Sequence, residues 1–141
     1  MANQGTGVIT EITPSGSKST FAYGLNSPGS LAFDNTGNLF VANQGSGIIT
    51  KITPHGVEGT FASGLDVPNG LAFNSSGDLF VGDTDSGNIY EFTPTGAKGT
   101  FASGLDSPVG LAFQPVPEPS ALVLVAWATA LCTHGWRKRD L

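Results

Sequence analysis

The chain has 141 residues, of which 12% are charged, with 20 Gly, one Cys and a formal charge of −5. A single Cys excludes an intramolecular disulfide and a Cys-based zinc site, which needs several thiolates. Ahead of residue 118, Lys18, Lys51 and Lys98 face nine acids, a balance of −6; this acidic body has no basic patch to match phosphate charge, so no nucleic-acid partner is expected.

The first segment, MANQGTGVITEITP, returns at residue 41 as VANQGSGIITKITP and at residue 81 as VGDTDSGNIYEFTP. TFA recurs around Phe21, Phe61 and Phe101, and segments like GLAF end at Phe33, Phe73 and Phe113, always 40 residues apart and without an insertion. Each unit predicts four short strands. The first covers residues 30–34 or 70–74. DNTGN or NSSGD follows, with Gly37 or Gly77 placed for the positive φ of a tight hairpin. The second strand, 38–43 or 78–83, is apolar on both faces and should be buried on both. In the third, 47–54, Ile48, Thr50 and Ile52 share one face and Ile49 and Lys51 the other. Pro54 and Gly56 then suit a turn, with His55 exposed in it, and residues 59–63 make the fourth strand. A longer loop, GLDVPNG, leads to the next unit. The density of Gly and Pro forbids the long amphipathic helices of a helical repeat. Four antiparallel strands per 40 residues predict an all-β chain, a partial β-propeller.

The stretch PNGLAFNSSGDLFVGDTDSGNIYEFTPTG resembles the NHL repeat and the related gluconolactonase and regucalcin propellers, over residues 1–114. That resemblance implies architecture rather than activity, since such blades serve many functions. It also implies that a metal, where present, sits at the central channel on Asn, Asp and Glu side chains at the starts of innermost strands. The equivalent positions here are Gly29, Asn69 and Val109. Only Asn69 carries a ligand atom, whereas Ca²⁺ needs about six oxygens; after Pro68 it reads better as a turn residue than as a ligand. Asp83 and Asp85, in GDTDSGN, have a D-x-D-x-G spacing that can wrap Ca²⁺. The other units carry NQGTG and NQGSG there, so a solvated hairpin loop is the expectation. No Ser–His–Asp arrangement or phosphate-binding glycine loop is present, and a catalytic residue is not assigned.

After Phe113 the repeat stops. Residues 115–120, PVPEPS, read as an extended linker because Pro115, Pro117 and Pro119 interrupt regular structure. Residues 121–136 form an uncharged run of 16 residues, followed by Arg137, Lys138 and Arg139. As a helix the run spans about 24 Å, short of the ~30 Å hydrocarbon core. Trp136 and the basic cluster nevertheless suit a membrane span with its tail in the cytoplasm. The order Pro117–Glu118–Pro119, apolar helix, Arg137–Lys138–Arg139 resembles the PEP-CTERM sorting signal. The resemblance implies an exported bacterial protein. It further implies residues 121–141 as a membrane helix with its basic tail, inserted transiently in the inner membrane through residues 121–136, an exosortase-type processing protease, and delivery to the cell surface or an exopolysaccharide matrix.

Met1 aligns with Val41 and Val81, inside a second strand. A propeller closes with about four to eight blades, and this chain supplies strands three and four of one blade, two full blades and strand one of another. The expectation is a longer frame in which Met1 is an internal valine codon and an export leader lies upstream; the alternative is ring closure by homo-oligomerisation. Three functional readings stand: a surface or matrix binding module, a lactonase-like metal hydrolase with further ligands in other blades, and a remnant without function.

Overall fold

A computed structural model describes residues 1–114 and the backbone of residues 123–126. The repeat folds as radial blades of antiparallel sheet, and no helix occurs among the described residues. The first blade contains β1 (Ala2–Asn3), β2 (Val8–Ile12) and β3 (Lys18–Ala22), in that order. The second contains β4 (Pro28–Phe33), β5 (Leu39–Asn43), β6 (Ile48–Ile52) and β7 (Glu58–Ala62). The third contains β8 (Pro68–Phe73), β9 (Leu79–Asp83), β10 (Asn88–Phe92) and β11 (Lys98–Ala102). Each full blade is an up-and-down meander of four strands. β12 (Leu111–Gln114) then stands beside β8, as β8 stands beside β4.

The expected strands are therefore present to within two residues at either end. Every residue of β5 and β9 is buried, because both faces of each are covered: β5 by the first and third blades, β9 by the second blade and β12. Leu39, Val41 and Ile52 pack towards the first blade with Ile9 and Ala22. Phe40, Ala42 and Ile49 pack towards the third with Leu71, Leu79, Val81 and Phe92. The period-2 alternation of a strand thus decides which interface a residue joins, rather than whether it is buried. Burial of a side chain such as Ile49 or Ile52 contributes about 1.5–3 kcal/mol.

Aromatic residues mark each interface. Phe40 of β5 meets Phe61 of β7 at 5.0 Å and Phe73 of the next blade at 4.9 Å, both edge-on. Phe80 repeats this with Phe101 and Phe113 at 5.0 and 4.9 Å. The hairpins between first and second strands use Gly37 and Gly77, each at φ +88°, as the sequence requires. An Asx turn closes the first of them: Asp34 accepts hydrogen bonds from the amides of Thr36 and Asn38 and from both side chains. Partial burial raises the Asp34 pKa, but the bonds from Asn38 and Thr36 outweigh it and hold the carboxyl at about 2.

The helix expected over residues 121–136 needs correction. Within that apolar run, β13 (Val123–Ala126) is a strand antiparallel to β12. Val-Leu-Val-Ala suits a strand as well as a helix, and the free edge of β12 offers such a strand a row of unpaired backbone groups. The rest of that run, the linker with Pro117, Glu118 and Pro119, and Arg137, Lys138 and Arg139 lie outside the described residues.

Candidate functional site

In these blades the loops that join fourth strands to first strands share one end with the hairpins between second and third strands. The two loop sets are stitched together: the amide of Leu65 donates to the carbonyl of Gly47, and that of Leu105 to Gly87. Gly47 and Gly87 have φ near +65°, and a Cβ on Gly47 would collide with the Leu65 carbonyl. This end holds all three positions singled out by the resemblance and both acids of the D-x-D-x-G loop.

Asn69 begins an innermost strand, as expected, and is half-buried. It is the extra residue of a β-bulge, since Pro68 stands opposite Asp83 and Gly70 opposite Gly82. A bulge re-aims a side chain at a strand end, but none of the neighbouring equivalents adds a charge. Gly29 has no side chain, and the amide of Gln44 fills the space where its Cβ would lie, at 2.6 Å. Val109 is apolar and 48% exposed. Gln44 in turn accepts a hydrogen bond from its repeat counterpart Gln4 at 3.1 Å. Beside them an open groove of about 600 Å³ is lined by Asn3, Gln4, Thr6, Pro28 and Gly29 among others, without a carboxylate.

Asp83 and Asp85 part company. Asp85 is exposed, as a hairpin loop residue should be. Asp83 is 1% exposed, which corrects the picture of a solvated loop. Its carboxylate accepts the amides of Val67 at 2.7 Å and Asp66 at 3.0 Å. Asp83 therefore fastens the interblade loop 64–69 onto β9. Both oxygens are engaged with donors, so Asp83 does not converge with Asp85 on a shared point. No cluster of three or more His, Cys, Asp or Glu side chains that could hold a metal exists among the described residues. His55 is exposed in its turn at the opposite end.

The donor set that Ca²⁺ requires, several charged oxygens around one centre, does not assemble from Asn69, Asp83 and Asp85. Calorimetric titration of the full chain with Ca²⁺ is expected to show no submicromolar site. A tight site that disappears in Asn69→Ala would contradict this geometry.

No family profile matches the chain, and no curated protein matches it. Solved structures do. Virginiamycin B lyase from Staphylococcus aureus aligns with a TM-score of 0.67 at 13% identity, over 90% of this chain and 50% of its own. A protein provisionally assigned as a gluconolactonase aligns with a TM-score of 0.73 at 18% identity, over 90% and 52%. Regucalcin from Agrobacterium tumefaciens strain C58, a calcium-binding protein, aligns with a TM-score of 0.70 at 15% identity, over 96% and 50%. The fold is a partial β-propeller. At these identities the likeness concerns the fold, and this chain spans about half the length of the solved structures it matches.

Proposed function

We propose that this chain is part of an exported, non-catalytic propeller that acts as a binding module at the cell surface or in an exopolysaccharide matrix, sorted by a PEP-CTERM-type signal. The observation that carries the reading is the ordered tail: Pro117–Glu118–Pro119, the uncharged run 121–136, then Arg137–Lys138–Arg139. Basic residues beside an apolar segment fix its orientation because they resist translocation. The Pro-rich stretch stays accessible to a membrane-embedded protease because Pro neither enters a helix interior nor pairs in a central strand. Cleavage near Glu118 releases the acidic body from its slightly basic anchor.

The strand at Val123–Ala126 gives part of the apolar run a second place, against β12. Sorting requires that strand to leave the sheet for the membrane. No helix among the described residues is long and apolar enough to cross one.

A lactonase-like hydrolase is the competing reading, because a gluconolactonase-type protein and regucalcin share the fold. Gly29 and Val109 at two of the three ligand positions weigh against it for this part of the ring. The test of sorting places one tag before Pro115 and another after Leu141 in the complete gene, expressed in hosts with and without an exosortase. The tags are expected to separate only where the exosortase is present, with the C-terminal tag in the membrane fraction beforehand. Both tags remaining together in a soluble fraction in either host would end the sorting-signal reading.

A further inference from the structure

At the end of the blades opposite to Asn69, a groove of about 260 Å³ lies between the second and third blades. Both walls belong to complete four-stranded sheets. One wall is the β4–β5 hairpin, with Asp34 and Asn35, backed by Lys51 of β6. The other is the β8–β9 hairpin, with Ser76, and the turn at Pro94. Phe40, Phe61 and Phe73 close the floor. Phe40 is buried, and its edge-on contacts hold the half-buried rings of Phe61 and Phe73 at the base of the groove.

The aromatic floor belongs to the fold, since Phe80, Phe101 and Phe113 repeat it at the next interface. The charged pair does not repeat. Where this groove has Asp34 and Lys51, the next unit has Asn74 and Glu91, and the first unit has Glu11 in the place of Lys51. The strand therefore needs no lysine at this position. Lys51 is half-buried and, among the described residues, forms no ion pair; its ammonium stands 5.6 Å from the centre of the Phe40 ring. In Asp34, Oδ1 accepts from the Thr36 and Asn38 amides and the Thr36 hydroxyl, whereas Oδ2 accepts from the Asn38 side chain at 2.8 Å. Oδ2 thus keeps room for a further donor.

We propose that this groove binds a neutral pyranose ring of a polysaccharide. The inference rests on the reading of the chain as a matrix-binding module and gives that module a ligand class. Asp34 and Lys51 are the charged residues of the lining, so the groove carries no net charge and matches neither an anion nor a cation. A sugar hydroxyl both donates and accepts. One hydroxyl donates to Oδ2 of Asp34, the Lys51 ammonium donates to the oxygen of another, and the Asn35 amide and Ser76 hydroxyl on the two rims serve in either sense. The C–H face of a pyranose is apolar and weakly positive, which suits the aromatic rings of Phe61 and Phe73 beneath it. The volume lies just below the ~300–1,000 Å³ of clefts for drug-sized ligands, so a single ring fits rather than a bulky cofactor.

The probes are methyl glucoside, methyl galactoside and methyl mannoside, with sodium glucuronate as the anionic comparison. Each is titrated into the full chain and followed by saturation-transfer NMR. At least one methyl glycoside is expected to bind with a millimolar Kd, with the strongest transfer at its ring C–H protons. Lys51→Glu installs the residue type of the other two units and should weaken binding at least about tenfold. Asn35→Ala, at an exposed rim position, should weaken it at least about threefold. Lys18→Glu makes the same charge change on the first blade and should leave binding intact. Far-UV circular dichroism checks that each variant stays folded; should Lys51→Glu unfold, Asn35→Ala decides. No binding of any of the three glycosides, binding of glucuronate alone, or binding unchanged in either groove variant overturns the inference. A chain that is cleaved by the exosortase but takes no sugar loses this site alone, and one that takes sugar but is not cleaved loses the sorting signal alone.

Discussion

Replacing Phe40 with Ala is expected to destabilise the chain by about 3–5 kcal/mol, the range for removing a buried Phe. Phe40 is 3% exposed and stands at the junction of two complete blades. It meets Phe61 and Phe73 edge-on, near 5 Å from each, a geometry worth about 0.5–1.5 kcal/mol per pair beyond burial. The cavity left by the ring lies between rigid sheets, where strand pairing on both sides prevents collapse. Lys51, whose ammonium stands 5.6 Å from the ring, loses its aromatic surface in the same step. Guanidinium unfolding followed by circular dichroism measures the effect. Tyr23→Ala, at a residue 77% exposed, serves as the comparison and should stay within about 0.5 kcal/mol of the parent. A Phe40→Ala loss under about 1 kcal/mol would show that the blades do not pack face to face.

The blades were legible because two signals agree at each position. Alternation gave the two faces of β6, where Ile49 and Ile52 enter different interfaces, and glycines with positive φ punctuated it at Gly37, Gly77 and Gly56. The repeat then multiplied each weak local signal. At residues 123–126 that support ends. A run of apolar residues without polar punctuation does not distinguish helix from strand, and the edge of β12 decides the matter from outside the segment. Asp83 was misjudged for a related reason. Its partners, the amides of Asp66 and Val67, lie 17 and 16 residues away, so the local sequence suggested a solvated hairpin loop. A signal did exist: Asp83 replaces Asn3 and Asn43 in the same unit whose loop carries Val67 in place of Ser27 and Ser107.

That paired difference leads to the second large effect. Asp83→Asn is expected to cost about 1–3 kcal/mol, the penalty for leaving a buried polar group without a partner. The new side-chain nitrogen would face the amide of Asp66 or of Val67, donor against donor. Asn43 shows how the fold accommodates Asn at this position. Its side-chain nitrogen donates to the Thr50 hydroxyl at 2.9 Å, and the loop before it runs through Ser27 at φ +50°. Ser107 has the same φ. Val67 does not, because a β-branched residue pays heavily for the left-handed region. The loop at Val67 therefore keeps its amides turned towards residue 83 and needs an acceptor there. The third blade also has Tyr90 where the second has Thr50, so the side-chain amide introduced by Asp83→Asn lacks that partner. Val67→Ser alone should cost less than about 1 kcal/mol, by loss of partly buried methyls. In the double variant, the serine introduced by Val67→Ser allows the loop to adopt the conformation seen at Ser27. That variant should recover at least about 0.5 kcal/mol relative to the sum of the single ones. A double-mutant cycle by guanidinium unfolding measures this coupling. Strict additivity would show that the Asp83 carboxylate and the loop conformation at residue 67 are independent, and the fastening role assigned to Asp83 would fall.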